Sequence, residues 1–130
     1  MGLIRIEHYN IHTTKLAETV DFYTRVLGMT KGDRPPFDFP GAWLYVGDTP
    51  VVHLIDVGKD FKSGREGQFG TGTLDHVAFE ARDLPMMRTL LAREHVKFRE
   101  CVVPRSGAVQ IFVEDPNGLT LELNYAETAG

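Results

Sequence analysis

The most constraining feature of this sequence is an internal repeat in which possible metal ligands recur at matching positions. His8 and His76 each lie in a strand-like stretch at the start of one half, and the second histidine follows the first by 68 residues. Each half closes on another strand-like stretch, which carries His53 in the first half and Glu122 in the second, 69 residues later. A ligand-type residue that recurs in phase within a repeat suggests that two similar modules converge on one metal ion.

Length and composition fit a single globular domain. A chain of 130 residues leaves room for a hydrophobic core, and its apolar fraction of 42% and charged fraction of 25% are ordinary. The net charge of −4 offers no basic excess to hold a nucleic acid backbone. The scattered charges also lack the basic run that a membrane surface attracts, and the longest apolar stretches are strand-sized. We therefore expect no nucleic-acid and no membrane partner.

Cysteine usage bears on the compartment. The lone Cys101 excludes a disulfide within the chain and fits a reducing environment. Residues 1–5 run directly into a strand pattern instead of a signal peptide. We expect a cytoplasmic protein.

Each half is predicted to follow the order strand, helix, three strands. The modules span about residues 3–57 and 72–126 and are joined by a Gly-rich linker over 58–73. Alternation and β-branched or aromatic residues predict the strands. They cover 3–12, 42–46 and 51–56 in the first module, and 74–81, 96–102, 109–113 and 119–125 in the second.

Capping residues mark the predicted helices. The first helix begins after Thr13 or Thr14, either of which can cap it, and ends at Gly28. The second begins after Asp83 with Pro85 in its first turn. Residues 115–118, Asp-Pro-Asn-Gly, predict a tight turn before the last strand.

Three segments resemble the vicinal oxygen chelate superfamily, which includes glyoxalase I, fosfomycin and bleomycin resistance proteins, methylmalonyl-CoA epimerase and extradiol dioxygenases. They are residues 19–29, 75–79 and 112–123. The resemblance implies an α+β chain of two βαβββ modules that form a partly closed, barrel-like mixed sheet, the glyoxalase-like fold. It also implies a homodimer in which each site can combine modules from either chain.

The same resemblance implies a metal site. His8 matches the first-strand ligand, His76 its partner in the second module, and Glu122 the final carboxylate. His53 stands where glyoxalase I-like enzymes usually carry a glutamate. We expect one divalent metal ion per site, and imidazole plus carboxylate suits Zn, Ni, Mn, Co or Fe. The alternative is that the histidines are polar strand residues of a module pair that has lost its metal.

His53 has three interpretations. It is either a fourth metal ligand, a catalytic acid or base with an ordinary pKa near ~6.5, or a packed histidine. The sequence alone leaves these open.

Polar residues near the predicted ligands are candidates for substrate contact. Asn10 and His12 share the strand face of His8. An arginine commonly takes the place of His12 in glyoxalase I-like enzymes and helps to hold glutathione. Arg105, on a flexible loop, offers a cation to an anionic substrate group. A solvated or hydrogen-bonded structural role is the alternative for each.

Aromatic side chains cluster around a Pro-rich loop. Trp43 and Tyr45, together with Phe37 and Phe39, favour an aromatic or otherwise apolar substrate if the loop covers the site. The alternative is that these rings only fill one end of the fold.

These observations predict a divalent-metal-dependent enzyme acting on a small molecule that chelates the metal through adjacent oxygens. The family resemblance and the predicted triad put lyase or isomerase chemistry of the glyoxalase type first, in which a Lewis acid would stabilise an enediolate while a residue such as His53 moves a proton. An extradiol-type Fe(II) dioxygenase and a metal-free drug-binding protein of the bleomycin-resistance kind are the alternatives.

Overall fold

A computed structural model describes residue 2, residues 4–58 and residues 74–126. The chain divides into two compact units, Met1–Gln68 and Phe69–Gly130, which we call the N-terminal and C-terminal modules. Each contains one of the predicted modules. Nearly all of the predicted Gly-rich linker lies outside the described residues.

The N-terminal module contains a four-stranded mixed sheet and one helical stretch. Strand order in the sheet is β1-β4-β3-β2, with β1 parallel to β4 and the other pairs antiparallel. Its elements are β1 (Tyr9–Thr13), α1 (Leu16–Asp21), a π-helical segment (Phe22–Val26), β2 (Thr30–Gly32), β3 (Gly41–Val46) and β4 (Thr49–Asp56).

The C-terminal module repeats this arrangement. Its sheet has the order β5-β8-β7-β6, again with the first and last strands parallel. Its elements are β5 (His76–Ala81), α2 (Leu84–Arg93), β6 (Arg99–Val102), β7 (Val109–Glu114) and β8 (Thr120–Tyr125). The predicted α+β class with two βαβββ modules is confirmed.

Strand register shows that the repeated ligand positions are structurally equivalent. Asn10, two residues after His8, pairs with His53. Ala78, two residues after His76, pairs with Glu122. Each histidine is therefore a diagonal neighbour of the second candidate ligand on the same face of its sheet.

Alternation along the strands separates a packed face from a polar face in each sheet. In β4, Val52 and Leu54 are buried and α1 packs against the same sheet, whereas His53 between them lies on the other face. In β8, Leu121 and Leu123 are buried on either side of Glu122. Core packing therefore fixes which way both candidate ligands point.

The structure corrects the start of the first strand. A strand was expected over residues 3–12, but β1 begins at Tyr9, so His8 precedes it. The β1–β4 pairing begins with Tyr9 opposite Val52. The short strand β2 was not located in the sequence.

The expected helix ends are partly confirmed. Neither threonine caps α1 with its side chain. Lys15 is the N-cap residue, and its N–H donates to Thr13 Oγ1 at 2.9 Å. Gly28 ends the π-helical segment with a positive φ of 80°, as expected of a C-terminal glycine. Asp83 does cap α2, since its carboxylate accepts from Met86 N.

The predicted turn before β8 is also confirmed. Asp115 is buried, and its Oδ1 accepts from Asn117 N at 2.8 Å and Leu119 N at 2.9 Å. Gly118 has a positive φ of 85°. No helix among the described residues is long and apolar enough to cross a membrane.

Candidate functional site

The C-terminal module brings a histidine and a carboxylate together on its polar face. His76 Nε2 lies 3.3 Å from Glu122 Oε1. The other ring nitrogen, Nδ1, lies 2.8 Å from Asp75 Oδ2, a distance at which an Nδ1–H donates to the carboxylate. That bond makes Nε2 the nitrogen with a lone pair, and Nε2 is also the ring nitrogen that lies near Glu122.

Glu122 is held by a chain of amide side chains. Asn124 Nδ2 donates to Glu122 Oε2 at 2.7 Å, and Gln110 Nε2 donates to Asn124 Oδ1 at 3.2 Å. Because Oε2 is occupied in this way, Oε1 is the oxygen that faces His76. The side chain of Glu122 is only 13% exposed, so its orientation is well fixed.

This pair fits a divalent metal ion. Two ligand atoms at about 2.0–2.2 Å from a metal lie roughly 3 Å apart when they are adjacent in its coordination sphere. The separation of 3.3 Å between His76 Nε2 and Glu122 Oε1 is close to that. A metal-binding histidine also usually donates its second N–H to a carboxylate or carbonyl, as His76 does to Asp75.

The N-terminal module places His8 and His53 in contact, but as stacked rings. Their centroids are 3.7 Å apart and their planes differ by 11°. On its other side His53 stacks on Trp43, with centroids 4.0 Å apart and planes within 10°. The result is a three-ring stack of His8, His53 and Trp43.

Hydrogen bonds assign different nitrogens to the two stacked histidines. His8 Nδ1 lies 3.1 Å from Glu7 Oε1, which repeats the bond between His76 and Asp75 and leaves Nε2 with the lone pair. His53 Nε2 lies 3.0 Å from the Pro50 carbonyl oxygen, so Nε2 carries the proton and Nδ1 is the basic nitrogen.

The stacking separates the roles of His8 and His53. The lone pair of an imidazole nitrogen lies in the ring plane, so the lone pairs of two parallel stacked rings run side by side and do not meet at one metal ion. His8 fits the metal, whereas His53 fits a neighbouring role while it stays in this stack. Burial lowers the pKa of His53, the nearby His8 lowers this pKa further, and the Pro50 carbonyl and Glu7 oppose the shift. His53 is therefore neutral near pH 7.

The remaining predicted substrate residues have distinct surroundings. Asn10 and His12 share the polar face with His53, since they pair with His53 and Ile55. The hydroxyl of Tyr45 donates to the Asp33 carbonyl at 2.6 Å and so anchors the loop over residues 33–40. Arg105 is exposed in a turn, with a positive φ of 73°.

Sequence reasoning missed several members of the site. The acidic residue before each histidine, Glu7 and Asp75, was detectable because both occupy the same position of the repeat. Asn124 shares a strand face with Glu122 by alternation, but its bond to that carboxylate depends on side-chain geometry. Arg34, which lines a small pocket together with His53, gave no signal, because a single arginine in a Pro-rich loop looks like an ordinary solvated cation.

The candidate ligands are divided between the modules. The described residues contain no group of three or more His, Cys, Asp or Glu side chains placed to hold a metal ion. His8 lies in one module and the pair His76 and Glu122 in the other, so neither module alone supplies the predicted triad.

Two βαβββ modules with identical strand order, each with a histidine next to a second polar ligand candidate, define the vicinal oxygen chelate class. Comparison with known proteins agrees with this class. Residues 5–123 match the Glyoxalase/Bleomycin resistance protein/Dioxygenase superfamily, and the chain belongs to that family.

Individual relatives are distant. The chain is 24% identical over 126 residues to Glyoxylase I 4 of Arabidopsis thaliana, covering 95% of this chain and 71% of that protein. Lactoylglutathione lyase from Agrobacterium tumefaciens superposes with a TM-score of 0.69 at 17% identity, with 96% of each chain covered. An antibiotic binding protein from Streptomyces superposes with a TM-score of 0.68 at 15% identity, covering 96% of this chain and 98% of the other. At these identities the structural likeness concerns the fold.

Proposed function

We propose that the protein is a divalent-metal-dependent enzyme of glyoxalase type, a lyase or isomerase acting on a small molecule that presents two adjacent oxygens. The ligands we assign are His8, His76 and Glu122, and the metal is one of Zn, Ni, Mn, Co or Fe. The sequence similarity to a protein named Glyoxylase I 4 supports this reaction class.

One observation carries the proposal: the ligand candidates are held by partners of a kind that metal sites use. Glu7 and Asp75 each accept a hydrogen bond from Nδ1 of the histidine that follows. Asn124 donates a hydrogen bond to one carboxylate oxygen of Glu122. Each candidate ligand therefore has one remaining atom that could bind the metal: Nε2 of each histidine and Oε1 of Glu122. Purely structural polar residues would have no need for the same arrangement in both modules.

In the proposed mechanism the residues of the chain have separate tasks. A bound divalent ion supplies Lewis-acid stabilisation of negative charge on the substrate oxygens. His53 is neutral at physiological pH, and its Nδ1 accepts the proton from the substrate carbon and returns it to the neighbouring position. The Pro50 carbonyl fixes the tautomer, and the Trp43 ring fixes the plane of the imidazole.

Metal content of single variants tests the assignment. We expect elemental analysis of tag-free protein to find about one metal ion per site, in line with one metal per vicinal oxygen site. His8→Ala, His76→Ala and Glu122→Ala should each lose it. His95→Asn is the matched control, because His95 lies at the end of α2 with a positive φ that asparagine accepts. The ligand assignment is wrong if all three variants retain metal as tightly as the wild type.

His53 requires a separate variant. We expect His53→Asn to retain the metal and to lose at least roughly 100-fold in turnover of oxo-aldehyde–thiol adducts, the low end for loss of a general base. Loss of metal in this variant would instead make His53 a ligand that leaves the stack when metal binds.

Two further assays separate the alternatives. Oxygen consumption with catechols in the Fe(II)-loaded protein would replace the lyase proposal by an extradiol-type dioxygenase. Absence of metal, even after reconstitution with Mn, Fe, Co, Ni and Zn, would replace it by a binding protein. We retain this alternative because an antibiotic binding protein has the same fold.

We also propose that the enzyme works as a cytoplasmic homodimer. The division of the ligand candidates between two modules supports a paired assembly, because one chain's N-terminal module can serve a partner's C-terminal module. Cys101 is half-buried and free, which suits a reducing compartment.

A further inference from the structure

A small pocket opens on the polar face of the N-terminal module beside His53. Its volume is about 120 Å³. A cavity of about 150 Å³ holds a benzene molecule, so this pocket suits a single aromatic ring that protrudes in part. Aromatic side chains and one cation dominate the lining, which consists of Asn10, Arg34, Phe37, Phe39, Trp43, His53, Leu54 and Ile55.

Arg34 is held firmly at this pocket. Its Nη2 donates to the Phe39 carbonyl at 2.9 Å. Its guanidinium carbon lies 5.1 Å from the ring centroids of both Phe37 and Phe39, and these two rings stack with centroids 5.0 Å apart. The side chain is therefore placed by one hydrogen bond and two cation–π contacts.

The surrounding backbone leaves room for the guanidinium. A Cβ on Gly41 would come within 2.9 Å of Arg34 Nη2 and would collide with the Leu54 carbonyl oxygen. The loop that carries Arg34 is tied to the sheet by the bond from the Tyr45 hydroxyl to the Asp33 carbonyl. These contacts position Arg34 beside the pocket.

No carboxylate within the described part of the chain neutralises the charge of Arg34. The residue is half-buried, and no carboxylate among residues 4–58 and 74–126 forms an ion pair with it. A guanidinium has five N–H donors, of which the Phe39 carbonyl takes one. The remaining donors suit a planar anion, because guanidinium and carboxylate match in geometry.

We infer that this pocket binds a planar aromatic carboxylate, with the carboxylate at Arg34 and the ring against Phe37 and Trp43. The inference rests on the proposed function to the extent that the pocket adjoins His53, and it names the class of substrate that this site accepts. Asn10 and the basic Nδ1 of His53 supply the polar contacts for the opposite edge of the ring.

The single tryptophan of the chain reports directly on this pocket. Trp43 is the only one in 130 residues, so quenching of its fluorescence measures a ring that binds beside it. The probes are benzoate, the neutral benzamide and the non-aromatic cyclohexanecarboxylate. We expect benzoate to bind most tightly, because only benzoate combines a carboxylate for Arg34 with an aromatic ring for Phe37 and Trp43.

Substitution of Arg34 tests the role of the cation. Arg34→Gln retains a donor for the Phe39 carbonyl and removes the charge, and we expect it to weaken benzoate binding by roughly 10- to 100-fold while benzamide is unaffected. Arg34→Lys keeps the charge and should lose less. Arg93→Gln, at the exposed end of α2, is the matched control and should bind benzoate like the wild type.

The inference is overturned if benzoate binds Arg34→Gln as tightly as the wild type, or if benzamide binds the wild type as tightly as benzoate does. Repeating the titration in Glu122→Ala separates the two proposals. Arg34-dependent benzoate binding that persists in a metal-free Glu122→Ala protein supports the pocket independently of the metal. A wild type that holds no metal contradicts the proposed function and leaves the benzoate comparison valid.

Discussion

Individual residues in this protein act through their immediate neighbours in the sequence as well as through the fold. Glu7 precedes His8 and Asp75 precedes His76, and each carboxylate accepts from the Nδ1 of the histidine that follows. One bond lies in the N-terminal module and the other in the C-terminal module, so both modules contain the same pairing of a carboxylate with a histidine. We therefore regard both acids as residues that position a proposed metal ligand.

Removing one of these carboxylates should weaken metal binding, although no proposed ligand is removed. We expect Asp75→Asn to raise the dissociation constant of the metal by about 10-fold, the low end of the range for such partners, because the side chain is 91% exposed. Competition with a chromogenic chelator measures the constant.

Asp48→Asn is the control for that experiment, since Asp48 is an exposed aspartate on the turn between β3 and β4. An unchanged affinity in Asp75→Asn would show that the bond to His76 has no effect on metal binding.

The buried hydroxyl of Tyr125 is expected to lower the stability of the folded protein. Its hydroxyl is buried and has no hydrogen-bond partner among the described residues, and burial raises its pKa, with Asp83 raising the pKa further. We expect Tyr125→Phe to stabilise the protein by about 1 kcal/mol, because an unsatisfied buried polar group costs roughly that much or more. A thermal unfolding curve with a lower midpoint than the wild type would show that the hydroxyl has a partner in solution.

At the scale of elements, helix α2 depends on the residue that starts it. Asp83 caps the helix through Met86 N, and it does so with a positive φ of 68°. Aspartate and asparagine tolerate this conformation better than other residues with a Cβ. The capping bond and the conformation therefore require the same residue type.

We expect Asp83→Ala to lower the free energy of unfolding by about 2 kcal/mol, from loss of the cap and from the strained backbone together. Asp83→Asn should cost much less, since asparagine can cap and tolerates the conformation. Urea denaturation of the three proteins measures the difference. Equal losses in the two variants would mean that the charge of Asp83, and not its cap, stabilises α2.

Sheet register is the element-scale feature that creates the candidate site. The sequence placed His53 and Glu122 in strands at matching phase, and the parallel pairing of first and last strands then made each the diagonal neighbour of a histidine. In the same register, β1 pairs with β4 only from Tyr9 onward. That outcome depends on a partner strand and was not predictable from residues 3–12 alone.

At the scale of the whole molecule, the proposed site requires contributions from two modules. His8 belongs to one and Glu122 to the other. A homodimer can assemble such a site either within one chain or from modules of different chains. Variants defective in different modules distinguish these possibilities.

We expect His8→Ala and Glu122→Ala to be metal-free separately and to regain metal in one of the two sites when co-expressed with different tags and purified as a mixed dimer. This holds if each site combines modules of two chains, because one site of the mixed dimer then contains two intact modules. Elemental analysis of the mixed dimer provides the measurement. A metal-free mixed dimer would place each site within a single chain.

The sequence by itself determined the repeat, the α+β class, most of the elements and the positions of the candidate ligands. These depend on local patterns: alternation in strands, capping residues such as Asp83, and the recurrence of His8 at His76. Local patterns are sufficient because backbone preferences and burial periodicity act over a few residues.

The tertiary structure decided which atoms of those residues are available. His53 looked equivalent to Glu122 in sequence, yet its ring stacks between His8 and Trp43 and its Nε2 donates to Pro50. The guanidinium of Arg34 is positioned by the space at Gly41 and by its contacts with the rings of Phe37 and Phe39. The orientation of a side chain is set by contacts across strands and loops, and residues distant in sequence supply those contacts only after the chain has folded.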